Sequence, residues 1–118
     1  MLMGEGLMAK TTRVFARSTV DAAAVLGAQI AQARRGRGLT AAELGERVGV
    51  SARTITALER GAPTVALGTA FEAATLLGVQ LFGAEGPELA ALARQGRERL
   101  ALLPRRVYHD REPVRDDF

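Results

Sequence analysis

At 118 residues, with 47% hydrophobic and 25% charged residues and a formal charge of +3, the chain suits one globular domain plus short extensions. Aromatics are scarce, so a core must be built from Leu, Val, Ile and Ala, a composition that predicts an all-α fold. Cys is absent, which excludes disulfides, thiolate metal sites and thiol nucleophiles.

Residues 1–18 hold Gly4 and Gly6 without apolar periodicity and read as a flexible N-terminal arm; Met1, Met3 and Met8 leave the start codon open. Ser18 or Thr19 is placed to cap a first helix with Asp21 in its first turn. Ala22, Leu26, Ile30 and Ala33 form its apolar stripe, and Gly36 and Gly38 end it near Arg35. Thr40 with Glu43 three residues later is a capping box opening a second helix, on which Leu44 and Val48 share a face and Glu43 can pair with Arg47. Gly49 closes it, and Ser51 caps a third helix that turns Ile55 and Leu58 inward and ends at Gly61 and Pro63. A fourth runs from about Leu67 to Leu77, with Leu67, Ala70, Phe71, Ala74 and Leu77 on one side, and stops at Gly78. Pro87–Leu103 carries Leu89, Leu92, Ala93, Leu100 and Leu103 at helical spacing, and residues 104–118 read as an extended or disordered tail. The expected organisation is an arm at 1–18, a helical domain at 19–83, a C-terminal helix at 84–103 and the tail. Neither Ala22–Ala28 nor Val65–Ala84 is a convincing signal or membrane span, since charged or polar residues interrupt or adjoin both.

Residues 40–60, TAAELGERVGVSARTITALER, meet the physical demands of a helix-turn-helix. Two short helices that cross closely need a small residue inside the first, which is Gly45. The tight turn needs a residue tolerant of positive φ, which is Gly49. Leu44, Val48, Val50, Ile55 and Leu58 supply the apolar surround. Spacing alone leaves a purely structural helical pair open. Between residues 31 and 60 stand six arginines, Arg34, Arg35, Arg37, Arg47, Arg53 and Arg60, against three acids, Glu43, Glu46 and Glu59, and Lys10 is the one lysine of the chain. Arginine offers a planar donor fork for phosphate and for guanine, although arginine usage also follows genome composition.

The strings AQARRGRGLTAAELGERVGVS, ITALERG and ALGTAFEAATLLGV resemble the DNA-binding domain of phage repressors and xenobiotic-response-element-type regulators, and among them the HipB-type antitoxins. The resemblance covers about half the chain, Leu26 to Gly78. It implies an all-α, five-helix helix-turn-helix domain with an extra C-terminal helix or tail, dimeric on a palindromic double-stranded DNA operator. Carried over by position, Thr40 and the amides after it would meet a phosphate, and Ser51 would cap the recognition helix beside the DNA. Arg53 would read a base edge, with Thr56 one turn further along, and Arg60 would clamp phosphate. Arg34 and Glu59 match a structural salt bridge, with Arg34 also placed to touch phosphate. Three departures thin the polar inventory: Ala41 stands where Gln is common, and Ala52 and Ala57 stand where polar base-reading side chains often do. Gly45 replaces a usual Ala at a cost of roughly 1 kcal/mol in helix propensity.

Other chemistry finds no support in the sequence. His109 is the only His and lies in a polar tail, so no metal site is expected. Ser18 and Ser51 are the only serines and both read as helix caps, which removes a nucleophilic triad. No phosphate-loop fingerprint is present and no cofactor is implied. Arg35, Arg37 and Arg47 read as a solvated face. The Leu89–Leu103 stripe is either self-packing or a contact for a second copy or another protein. Leu103-Pro-Arg-Arg-Val107 with Asp116-Asp-Phe118 loosely resembles the ends of antitoxins from operons of HipA-type kinases. The expected role is a non-enzymatic, cytoplasmic, nucleoid-associated autorepressor, the antitoxin of a HipA-like kinase toxin. The alternatives are a stand-alone or phage-type repressor, and a helical adaptor that has lost DNA binding.

Overall fold

The computed structural model describes residues 14–109; the arm before residue 14 and the acidic-Phe end fall outside them. The all-α expectation holds. Five helices follow in order, α1 (Arg17–Gly36), α2 (Ala41–Val48), α3 (Ala52–Glu59), α4 (Leu67–Leu77) and α5 (Gly86–Ala101). The fifth is the expected C-terminal helix. The chain divides into two compact units, one reaching Leu81 and the other beginning at Phe82.

In the first unit α1 to α4 surround a small aliphatic core. Ile30, Leu44 and Ile55 are its largest fully buried side chains, joined by Leu58, Ala70, Ala73, Ala74 and Leu77. Leu26, Ala33, Leu39, Ala41, Val48, Val50, Val65, Val79 and Leu81 pack against it. With three alanines of α4 in the core, the helices must approach closely to fill it at protein density. Ala73, on no one's expected stripe, is fully buried, whereas Leu67 is 69% exposed and Ala22 is also outside the core. Ala22 and Leu67 both fall in the first two turns of their helices.

Two glycines make the close approach possible. A Cβ on Gly45 would stand 2.6 Å from the Val50 carbonyl oxygen, so α2 lies against the turn that follows it and Ala does not fit here. The second, Gly27 on α1, escaped the sequence reading. Its Cβ would collide with the Leu58 carbonyl oxygen and lie 2.8 Å from that of Glu59, so α1 crosses the C-terminal end of α3 almost backbone to backbone. Gly49, at φ 93, makes the left-handed turn between α2 and α3.

The helix ends explain the boundaries. Thr40 and Glu43 form the expected capping box: the Thr40 hydroxyl accepts from the Glu43 amide at 3.0 Å, and the Glu43 carboxylate accepts from the Thr40 amide at 2.8 Å. Ser51 caps α3 through the Thr54 amide at 3.2 Å. The expected cap of α1 is corrected: Ala16 occupies that position, without a side-chain hydrogen bond, and Ser18 and Thr19 lie inside the helix. Asp21 pairs at 3.5 Å with Arg17 one turn earlier instead of facing the helix end. Arg37 donates to the Leu76 carbonyl oxygen at 3.2 Å, so it ties the end of α1 to the last turn of α4 and is not merely solvated. Gly38, at φ 72, follows in the expected left-handed conformation.

In the second unit Glu88 accepts from the Glu85 amide at 2.8 Å and Pro87 occupies the first turn of α5. No residue of α5 is buried. Pro104–His109 carries no helix and each of its residues is exposed. No helix among the described residues is long and apolar enough to cross a membrane.

The glycine contacts give opposite signs for one kind of substitution. Gly27→Ala should destabilise by about 1–3 kcal/mol, because overpacking against backbone outweighs the gain in helix propensity. Gly68→Ala, where a Cβ meets nothing within 4 Å, should stabilise by no more than about 1 kcal/mol. Urea denaturation midpoints of the two variants check this, and equal signs would remove the argument from close packing.

Candidate nucleic-acid interface

α3 divides cleanly. Ile55 and Leu58 point into the core, and Glu59 shares their side of the helix. The helical period puts Arg53, Thr56, Ala57 and Arg60 on the other side, whereas Ala52, three before Ile55 and seven before Glu59, falls at the edge of the inward stripe. Ser51, Arg53 and Arg60 are exposed there, and Ala52, Thr56 and Ala57 are half-buried. Ser51, Arg53, Thr56 and Arg60 thus share one side of the helix and its start, and Ala52 lies at that side's margin. Thr40 is exposed at the start of α2, but Ala41 packs against the core, so its methyl serves the interior.

The two helix starts differ electrostatically. At α2 the Glu43 carboxylate is folded back onto Thr40, so an internal anion already occupies the positive end and competes with the phosphate-holding role expected of Thr40. That orientation also turns Glu43 away from Arg47, whose charge is only a minor influence on it. At α3 no acid stands in the first turn. Its cap is neutral, with the Ser51 hydroxyl 3.1 Å from that of Thr54. The positive end of the α3 dipole therefore faces outward beside Arg53 without an internal counter-charge. Thr54 was not singled out from the sequence; its position three after Ser51 was the available signal.

Behind this surface lies the ion pair that holds it. Arg34 donates through Nε to Glu59 at 2.6 Å and through its NH2 nitrogen to the other carboxylate oxygen at 2.9 Å. Its NH1 nitrogen donates to the Leu39 carbonyl oxygen at 2.7 Å. The two side chains are only 12% and 9% exposed. The hydrogen bonds to Glu59, against the opposing effect of burial, hold the Arg34 guanidinium above its ordinary pKa. The fork is spent on three acceptors inside the protein, so Arg34 acts as a brace between α1, the α1–α2 turn and α3, and the phosphate contact entertained for it is not what the geometry provides.

A family model described as helix-turn-helix matches residues 30–83. The match supports a DNA-binding transcriptional regulator. No curated protein and no solved structure matches the chain.

Two outcomes follow from these contacts. Arg34→Ala should cost about 3 kcal/mol, since it strands the Glu59 carboxylate in a nearly closed site; thermal unfolding of the variant measures it. For Glu43, the backbone hydrogen bond from Thr40, and then the side-chain bond, hold the carboxyl below its ordinary pKa. A depressed folded pKa means that its contribution is present above the unfolded value and lost as pH falls through the folded one. Stability of the Glu43→Gln variant should accordingly depend less on pH across that acidic window than stability of the parent, as pH-dependent denaturation would show.

Proposed function

We propose that this protein is a sequence-specific DNA-binding repressor that acts as a homodimer on a palindromic operator, its own promoter included, in the cytoplasm on the nucleoid. The observation that carries the reading is the outward face of α3: an uncompensated helix N-terminus, an exposed Arg53 beside it, and Arg60 at the other end. In this reading α3 lies in the major groove. Arg53 reads a base edge, a bidentate contact with guanine being the one its fork fits best, and Arg60 grips phosphate. Ser51 and Thr56 add hydrogen bonds, and Ala52 lies against a thymine methyl. Thr40 contributes a phosphate contact at the margin.

A second reading concerns a partner. The stretch Leu103–Val107 is exposed, with Leu103 at 59% and Val107 at 82%, and is basic. This favours the role of antitoxin, in which the tail helps to hold a HipA-like kinase toxin while α3 holds DNA. Co-purification of such a kinase with the full chain, and its loss when residues 104–118 are removed, is the expected result; unchanged capture would count against the tail.

A gel-shift titration with the chain's own promoter tests the DNA reading. Arg53→Ala should lower specific affinity by about 10- to 100-fold and relax preference at one base position. Arg60→Ala should weaken all sequences alike and flatten the salt dependence by about one released ion. If the full-length protein leaves its promoter unshifted at low salt, DNA binding is lost as the function and the helical adaptor is what remains.

A further inference from the structure

α5 carries an apolar stripe that the described residues leave largely uncovered. Leu89, Ala93, Gly96 and Leu100 recur at steps of four, three and four, which places them in one stripe along the helix. Leu89 is half-buried, Ala93 and Gly96 are exposed, Leu100 is 69% exposed, and Leu92, at the stripe's edge, is 48% exposed. A Cβ on Gly96 would meet nothing within 4 Å, so no contact among the described residues requires glycine at a position where it costs the helix about 1 kcal/mol. A helix of 16 residues without a buried side chain is marginal in water on propensity alone.

We infer that α5 pairs antiparallel with α5 of a second copy of this chain. The stripe reads the same in both directions about its midpoint between Arg94 and Gln95. A two-fold axis there sets Leu89 opposite the partner's Leu100 and Ala93 opposite the partner's Gly96. The small residues then lie at the crossing point, where backbones approach most closely, and the leucines close both ends. Charge selects this direction. Glu88 and Arg99 flank the stripe on the same side. In the antiparallel pair each falls within two residue rises, about 3 Å along the axis, of its opposite in the other copy, which gives two symmetric ion pairs. In a parallel pair the same two charges stand eleven rises, about 16 Å, apart and on opposite flanks, so no such ion pair forms. The inference rests on the dimeric reading above for its purpose and supplies the surface of that dimer, but its association is measured without DNA.

Sedimentation of the full chain across a concentration series should show a reversible dimer. Gly96→Glu puts a good helix former, with a charge, at the crossing point, so the dimer should be lost while helicity by circular dichroism stays no lower than that of the parent diluted to monomer. Because the chain contains no cysteine, orientation can be read directly. Leu89→Cys and Leu100→Cys proteins, mixed and oxidised, should cross-link with each other in preference to themselves. A protein that stays monomeric, a Gly96→Glu variant that dimerises as before, or cross-linking mainly within each variant would each overturn the inference. A promoter shift that persists with a disrupted α5 leaves the DNA reading standing, so the two failures are distinguishable.

Discussion

The first unit depends on the pairing of Arg34 with Glu59, two nearly buried charges that fasten α1 to the inner side of the helix whose outer side is the candidate DNA face. A buried ion pair is not by itself strong evidence for stability, because desolvation offsets much of the attraction. Its value here is geometric. The guanidinium fork and the carboxylate meet at 2.6 and 2.9 Å, and the third donor fixes the Leu39 carbonyl immediately before α2. One side chain thereby sets the position of three consecutive pieces of backbone. Gly27 permits this, since any larger residue would push α1 away from the Leu58 and Glu59 carbonyls and draw the fork out of reach.

A core this poor in large side chains makes such bracing necessary. With Ile30, Leu44 and Ile55 as its only large fully buried residues, hydrophobic burial specifies the helix angles weakly, because alanine faces slide past one another at little cost. Glycine contacts and directional hydrogen bonds supply the missing specification: Gly45 against Val50, Gly27 against Leu58, Arg37 onto the last turn of α4. The two helices of the motif are held by their neighbours and by their caps rather than by bulk packing.

Local signals in the sequence read well and non-local ones did not. Thr40 with Glu43, Ser51, Gly49 and Gly78 act within four residues of themselves, so α2, α3 and the end of α4 are legible from residue type and spacing. The start of α1 was misread because Ser18 offers a good cap, yet helical geometry begins one residue before it, with only backbone at the end. Gly27 in an alanine-rich helix carries no local sign that a carbonyl from a residue more than thirty positions away sits against it. Arg37 looked like one charge among several for the same reason. At the candidate site, helical spacing turns Ile55 and Leu58 inward, as the structure has them; Ala41, chosen by analogy of position, packs against the core.

The outward face of α3 is short of polar groups, and this bears on how such a protein would discriminate among DNA sequences. Ala52 and Ala57 can offer only methyl contacts, which leaves Arg53 as the one long side chain in the first turn able to read a base edge in two places at once. A single bidentate contact is worth roughly 1–3 kcal/mol of discrimination, well below the roughly 4–10 kcal/mol that separates specific from non-specific binding in typical regulators. Two routes close such a gap: sequence-dependent DNA shape, and joining two half-sites so that the second contact is intramolecular. Under the second route a pairing surface outside the motif is as much a part of recognition as α3 itself. A glycine in α5 that no contact among the described residues requires then answers, under the proposed pairing, the same demand for close backbone approach as Gly27 and Gly45.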